Sequence, residues 1–207
     1  MKKVLLINGS PNEFGCTYTA LREVADTLEK NNISTEIMYL GRGAINDCMA
    51  CMACKTTGKC VINDGVNALA ERLDTIDGIV LGSPVYVAGP SARLEAFLNR
   101  LIYSGKGVLA GKVGACVVSC RRGGASAAFD RLNKYLTISN MIVAGSQYWN
   151  QVHGHTPEDV RQDEEGLQTM RTLGQNIAWM LKCISTGGKD GVARPEYEQP
   201  TPTHFIR

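Results

Sequence analysis

Charge of one sign is what this sequence most plainly lacks. Lysine and arginine together number 22 against 20 aspartates and glutamates, leaving a net charge of +2. So even a balance gives no electrostatic case for nucleic acid or a membrane surface as the main partner. The pair Arg121-Arg122 is too short a basic run to alter that. Long apolar runs are missing as well, and nothing approaches the roughly 20 residues of a membrane span. The two lysines at the start precede only Val4–Ile7, far too short for the apolar centre of a signal peptide. The expected location is the cytoplasm. Internal repeats and low-complexity segments are absent. So are Ser-His-Asp sets and paired carboxylate motifs, and no general acid or base is assigned.

The 207 residues, 44% of them apolar, suit one domain with a full-sized core, spanning 1–207. Five short apolar runs read as buried parallel strands: Val4–Asn8, Glu36–Leu40, Gly78–Gly82, Val113–Ser119 and Met141–Ser146. Helical spacing appears between and after them, at Leu21, Val24, Ala25 and Leu28; at Val66, Leu69, Ala70 and Leu73; at Leu94, Phe97, Leu98 and Leu101; and from Leu167 to Leu181. A less clear helix falls near Ser126–Thr137. The alternation predicts an α/β fold: a doubly wound, five-stranded parallel sheet of order 2-1-3-4-5 with helices on both faces. Two further segments stand apart, a cysteine-rich insert at 41–64 and an extended, proline-bearing C-terminal arm at 188–207.

In such a sheet ligands bind beyond the carboxyl ends of the strands, where the order reverses. Here that places the loops Gly9–Thr17 and Ser83–Ser91 together. The first has two glycines for a tight bend, hydroxyls at Ser10, Thr17, Tyr18 and Thr19, and a helix start near Thr17. Unpaired N–H groups at that helix start would hold a phosphate by neutral donors. It carries neither the Gly-Lys-Ser/Thr of a Walker loop nor G-x-G-x-x-G. A plain strand–turn–helix with Thr17 as N-cap is the alternative. In the second loop two prolines and two glycines impose rigidity, and Val85 and Tyr86 could lie against a flat aromatic ring or simply cap the core.

Eight cysteines are present, and four of them form Cys48-x2-Cys51-x2-Cys54-x5-Cys60. Four thiolates within thirteen residues can wrap one compact inorganic core. No histidine is nearby, and the spacing differs from the paired C-x2-C of common zinc sites. Free thiols, structural zinc and disulfides are the other readings, the last disfavoured in a reducing compartment. Cys116 and Cys183 sit in apolar patterns and are expected in the core, while Cys120 adjoins a loop. His153-Gly154-His155 reads as surface or structural rather than as a metal site. Tyr148-Trp149-Asn150 follows the fifth strand and is expected to pack, with a wall of the active site or a dimer interface as the alternative.

Both loops together resemble the NAD(P)H-dependent FMN reductase family of flavodoxin-like proteins. The matching residues are INGSPNEFGCT at Ile7–Thr17 and GSPVYVAGPSARLEAFLNR at Gly82–Arg100. Cys120-Arg121-Arg122-Gly123-Gly124 and the ending Thr203-His204-Phe205-Ile206-Arg207 match as well. The resemblance implies an oxidoreductase in which Ser10, Asn12, Cys16, Thr17 and Tyr18 hold the FMN phosphate. It implies that Pro84, Val85, Tyr86 and Val87 meet the isoalloxazine. Arg121 and Gly124 would stand beside the flavin or at the nicotinamide entrance. The cysteine spacing resembles that of the iron–sulfur flavoprotein subgroup, which implies a 4Fe-4S cluster on Cys48, Cys51, Cys54 and Cys60.

Electrons would pass from NAD(P)H or a ferredoxin-like protein to a small-molecule acceptor, in a homodimer or homotetramer. A cluster-free FMN, quinone or azo reductase and a non-enzymatic electron carrier are the alternatives. Two departures from the family stand in the phosphate loop. Asn12 replaces a basic residue found in many relatives, and Cys16 replaces Asn or Ser. With Glu13 adding a negative charge, FMN is expected to be held weakly.

Overall fold

A computed structural model describes residues 1–207 apart from Lys106, His204, Ile206 and Arg207. The family-like ending Thr203–Arg207 therefore lies largely outside the described residues. The chain runs β1 (Lys3–Asn8), α1 (Cys16–Lys30), β2 (Ser34–Tyr39), α2 (Ala53–Thr57), α3 (Gly65–Ala70), β3 (Gly78–Pro84) and α4 (Ala92–Ser104). It continues through β4 (Val113–Cys120), α5 (Ala125–Ile138), β5 (Ile142–Val143), β6 (Gln151–His153), α6 (Pro157–Gln162) and α7 (Glu164–Lys189). The strands pair in parallel in the order β2-β1-β3-β4-β5, as the alternation of apolar runs predicts.

Strand alternation divides the core in two. Leu5 and Ile7 of β1, with Cys116 and Val118 of β4, face α3, α4 and α5. Val4 and Leu6, with Ala115 and Val117, face α1 and α7. The central strands β1, β3 and β4 are nearly continuous apolar runs because helices cover both their faces. The edge strand β2 is half-buried along its whole length.

The fifth strand departs from expectation. Only Ile142 and Val143 pair with the start of β4, and both are exposed. Beyond Gly145 the chain leaves the sheet in a turn where the Ser146 hydroxyl bonds Tyr148 O and Asn150 Oδ1, each at 2.6 Å. It returns as β6, which pairs with the other end of β4. Periodicity marks an apolar run, but it does not register a turn that lifts the middle of that run off the edge. Tyr148 and Trp149 ride on this excursion. They pack edge-to-face on each other at 4.6 Å and stay about half exposed rather than joining the core. Cys183 is also exposed, whereas Cys116 is fully buried. The buried stripe of α7 runs Met170, Leu173, Gly174, Ile177, Ala178, Leu181, and position 183 falls off it.

Candidate active site and cysteine pocket

The carboxyl ends of β1, β3, β4 and β6 are tied together. Gly9 N–H donates to Gly82 O at 2.9 Å, joining the two loops that topology singles out. A side chain at Gly9 would stand 2.8 Å from Leu94 Cβ, so only glycine lets β1 end this close to α4. Thr17 Oγ1 and Ser119 Oγ share a hydrogen bond of 2.8 Å, and Val85 N–H donates to Ser119 O at 3.0 Å.

The phosphate loop holds its shape by its own polar groups. Asn8 Nδ2 donates to Glu13 O, Asn8 Oδ1 accepts from Ser10 N–H, and Ser10 Oγ accepts from Asn12 N–H. The N-cap of α1 is Gly15, not Thr17, and no side chain caps the helix. The first helical bond is from Thr19 N–H to Gly15 O, so the N–H groups of Cys16, Thr17 and Tyr18 precede it. No acidic residue stands in that first turn. An uncapped N-terminus of a 15-residue helix, with the half-positive end of the dipole, fits an anion. Burial pushes the Cys16 thiol pKa up, which keeps it neutral there. Thr17 is buried and spends one hydrogen bond on Ser119, while Asn12 is exposed. A charge the sequence reading missed comes from the insert, where Arg42 Nε donates to Pro11 O at 2.9 Å. Tyr39 OH donates to the same carbonyl at 2.7 Å.

The second loop is a tight turn closed by Tyr86 N–H to Gly89 O at 2.8 Å and Gly89 N–H to Tyr86 O at 2.9 Å. Its central residues, Val87 (φ +50°) and Ala88 (φ +59°), are both left-handed, a conformation a β-branched residue adopts only under constraint. Tyr86 and Val87 are exposed, while Val85 is partly buried against the core. The third loop follows β4. There Arg121 is exposed, Gly124 has φ +89°, and Cys120 is buried with its Sγ donating to Gly123 O at 2.9 Å. Arg121 lines an open cleft with His153, Gly154, His155 and Asp159. Cys16 Sγ reaches Gly154 O at 3.8 Å, which sets this cleft beside the start of α1.

The cysteine segment forms a second site. Cys48, Cys51, Cys54 and Cys60 all line one cavity of about 320 Å³, closed on its inner side by Asn99, Arg100, Tyr103 and Ser104 of α4. Ala50 (φ +54°) and Met52 (φ +60°) are left-handed on either side of Cys51 and turn the segment back on itself. The segment leaves β2 at the phosphate loop and is fastened to α4 by Arg93, which donates to Gly41 O and Arg42 O. Arg100 lies eight residues into α4 from Ala92, about 12 Å along the axis. The cavity therefore sits down α4 from the flavin-type loops rather than among them. Among the described residues, no three or more His, Cys, Asp or Glu side chains are grouped closely enough to hold a metal ion.

Supporting residues of this pocket were not legible in the sequence. Asn67 holds Cys60 from both sides, accepting from Cys60 N–H and donating to Cys60 O, each at 2.9 Å. Asp64 caps α3 by accepting from Val66 N–H, and it accepts both forks of Arg100 at 2.7 and 2.8 Å. The guanidinium holds the Asp64 carboxyl below the usual carboxylate range. On the opposite wall, Asp47 accepts from Cys48 N–H and from Asn99 Nδ2. Asn99 Oδ1 in turn accepts from the buried Tyr135 hydroxyl, whose pKa burial pushes up to about 12. One signal was available: Arg100 stands three residues after Phe97 and next to Leu101 of the apolar pattern of α4, where a charge survives only with a partner.

Fold and site together define a flavodoxin-like α/β protein with an uncapped helix N-terminus at the switch point of its sheet. The profile of the NADPH-dependent FMN reductase family matches residues 2–156. An iron-sulfur flavoprotein of Methanocaldococcus jannaschii is 35% identical over 190 residues, covering 88% of this chain and 98% of that protein. An iron-sulfur flavoprotein of Methanosarcina thermophila is 26% identical over 186 residues, covering 88% and 96%. Among solved structures, RosB aligns at TM-score 0.69 and 14% identity, over 100% of this chain and 94% of its own. The apo form of an NADH:FMN oxidoreductase aligns at TM-score 0.61 and 16% identity, over 87% and 90%. The chain belongs to the NADPH-dependent FMN reductase family and is an FMN-dependent oxidoreductase. No described helix is long and apolar enough to cross a membrane.

Proposed function

We propose that this protein, in the cytoplasm and as a homodimer or homotetramer, moves electrons between NAD(P)H or a ferredoxin-like donor and a small-molecule acceptor. It would do so with FMN and a 4Fe-4S cluster. When bound, FMN supplies the exchange between hydride and single-electron chemistry, and a cluster supplies one-electron exchange.

For the flavin, the uncapped N–H groups of Cys16, Thr17 and Tyr18, with the hydroxyl of Ser10 and the side chain of Asn12, would hold the phosphate. Arg42 offsets part of its charge. Pro84, Val85, Tyr86 and Val87 would meet the ring, the exposed apolar side chains of the last two excluding water from one face. Arg121 and Gly124 would border it, and the Arg121 guanidinium offers a fixed positive charge to a nicotinamide nucleotide's phosphates.

The reading of the insert rests on one observation: all four cysteines of the motif wall the same cavity. A zinc ion needs four sulfurs about 2.3 Å from a single point. Thiols spread around a cavity fit a larger inorganic core better. The same spread, with no three ligands grouped closely enough for an ion, favours the second reading, a cluster-free flavin reductase with free thiols. Anaerobic purification with iron, acid-labile sulfide, zinc and FMN measured per chain separates the two. About four irons and four sulfides beside one FMN support the cluster. FMN without iron overturns it. Bleaching of the flavin by NADH or NADPH alone distinguishes an enzyme from a carrier that needs a protein donor.

A further inference from the structure

Among the described residues, Arg100 is the most deeply placed charge. Its side chain is 1% exposed, and all its donors are spent within one small region. Nε donates to Cys60 Sγ at 3.2 Å. One terminal nitrogen donates to Asp64 Oδ2 at 2.7 Å and Asn46 O at 3.3 Å. The other donates to Asp64 Oδ1 at 2.8 Å and Ile62 O at 2.9 Å. Structural ion pairing alone explains the bidentate grip on Asp64. It does not explain why the remaining N–H points at a cysteine sulfur, a poor acceptor while it is a neutral thiol and a good one when it is a thiolate.

We infer that Arg100 is a positioning residue for electron transfer: it fixes the Cys60 sulfur on the α4 wall of the cavity and sets how readily a centre bound there is reduced, with Asp64 as the counter-charge that limits its effect. The inference rests on the reading of the pocket given above. Accepting one electron, from reduced flavin in the cell or from dithionite in a titration, adds one negative charge to the centre. A buried cation donating a hydrogen bond to one of its sulfur ligands stabilises that added charge, so it raises the potential. Asp64 removes part of the benefit. Hydrogen bonding to ligand sulfur, local charge and burial are the protein's means of setting such a potential, and Arg100 combines all three.

The test uses the full-length protein reconstituted anaerobically with iron and sulfide, as wild type, Arg100→Gln, Arg100→Lys and Asp64→Asn. Iron and sulfide per chain are measured first, then the midpoint potential by a spectroscopically monitored redox titration. R100Q loses the charge and the N–H to sulfur, and its potential falls, with the one-electron equilibrium moved on the order of tenfold. R100K keeps the charge but loses the fork, and falls less. D64N still caps α3, because asparagine is an equally good cap, but frees the arginine's charge and moves the potential upward. A residue that merely held the fold would not give shifts of opposite sign. Should R100Q not take up iron, the opposed shifts of R100K and D64N decide. Potentials that stay put in iron-loaded variants, or that move the same way in all of them, overturn this inference alone. A wild type that takes up no iron overturns the reading of the pocket and the inference with it.

Discussion

A methyl group on Gly124 would stand 2.8 Å from the α-carbon of Ala88, and Gly124 itself sits at φ +89°. The loops after β3 and β4 are thus locked backbone to backbone at the point where the flavin ring is expected. Gly124→Ala carries both a left-handed strain and a clash. Its cost is about 1–3 kcal/mol of stability, with weaker FMN binding. Gly123→Ala is the control, since nothing lies within 4 Å of that position. Thermal unfolding and FMN titration of the two variants check this, and equal losses in both would contradict it.

Val87 is fully exposed at φ +50°, in a turn whose two central residues both need positive φ. Asparagine is preferred there. Val87→Asn is expected to raise the melting temperature by relieving strain of about 1 kcal/mol, and to weaken FMN binding by removing an apolar contact. A stabilised variant with unchanged FMN affinity would show that the valine is not kept for the flavin.

Asn67 satisfies both backbone groups of Cys60 and also donates to Ile62 O at 3.3 Å. Asn67→Ala leaves these part-buried groups without their partner, at about 1 kcal/mol. Iron retention is expected to fall with stability, because Cys60 loses its fixed place. Urea unfolding and iron analysis of the same preparation measure the two effects.

Glu36 on β2 receives the Arg72 guanidinium through two hydrogen bonds and pairs with Lys3 across to β1. The Arg72 hydrogen bonds, opposed by burial and assisted by Lys3, hold its pKa at about 2 against an ordinary 4.5. A depressed carboxylate stabilises the fold above its unfolded value and loses that contribution as pH falls toward the folded value. Glu36→Gln is therefore expected to be less stable than wild type at pH 7. The gap should shrink between about 4.5 and about 2. Both partners are about a third exposed, so salt should narrow the gap too. Urea midpoints across this pH range, with and without salt, test the assignment.

Thiol reactivity should divide the cysteines by depth. Burial pushes the Cys116 thiol far up, and it has no route to solvent. Cys48, Cys51 and Cys183 are exposed. In metal-free protein an alkylating reagent should label those three quickly and leave Cys116 untouched until the chain unfolds. Bound iron should protect Cys48 and Cys51 but not Cys183. Peptide mapping by mass spectrometry reads this directly.

Much of the architecture was legible because its signals are local. Val4–Asn8 and Gly78–Gly82 are apolar on both faces, and only a central parallel strand needs that. The loops Gly9–Thr17 and Ser83–Ser91 announce themselves by glycine, proline and hydroxyls. Chain order then puts them at one switch point. The broken fifth strand was not legible, because the turn that lifts it is made by Ser146 and Asn150, two ordinary polar residues four apart. The half-exposed position of Trp149 departs from the preferred packing role for the same reason, since it rides on that turn.

The sequence by itself determined the strand order, the glycine-bearing loop after β1 and the four-cysteine motif, since periodicity and spacing are properties of the chain alone. Only the tertiary structure decided which distant groups support them. Arg42 reaches the phosphate loop across 31 positions, Arg100 reaches Cys60 across 40, and Gly124 meets Ala88 from another strand's end. None of these has a local pattern. Each exists because the sheet brings loops from separate strands to one edge, and because a buried charge must find its partner wherever the fold has put it.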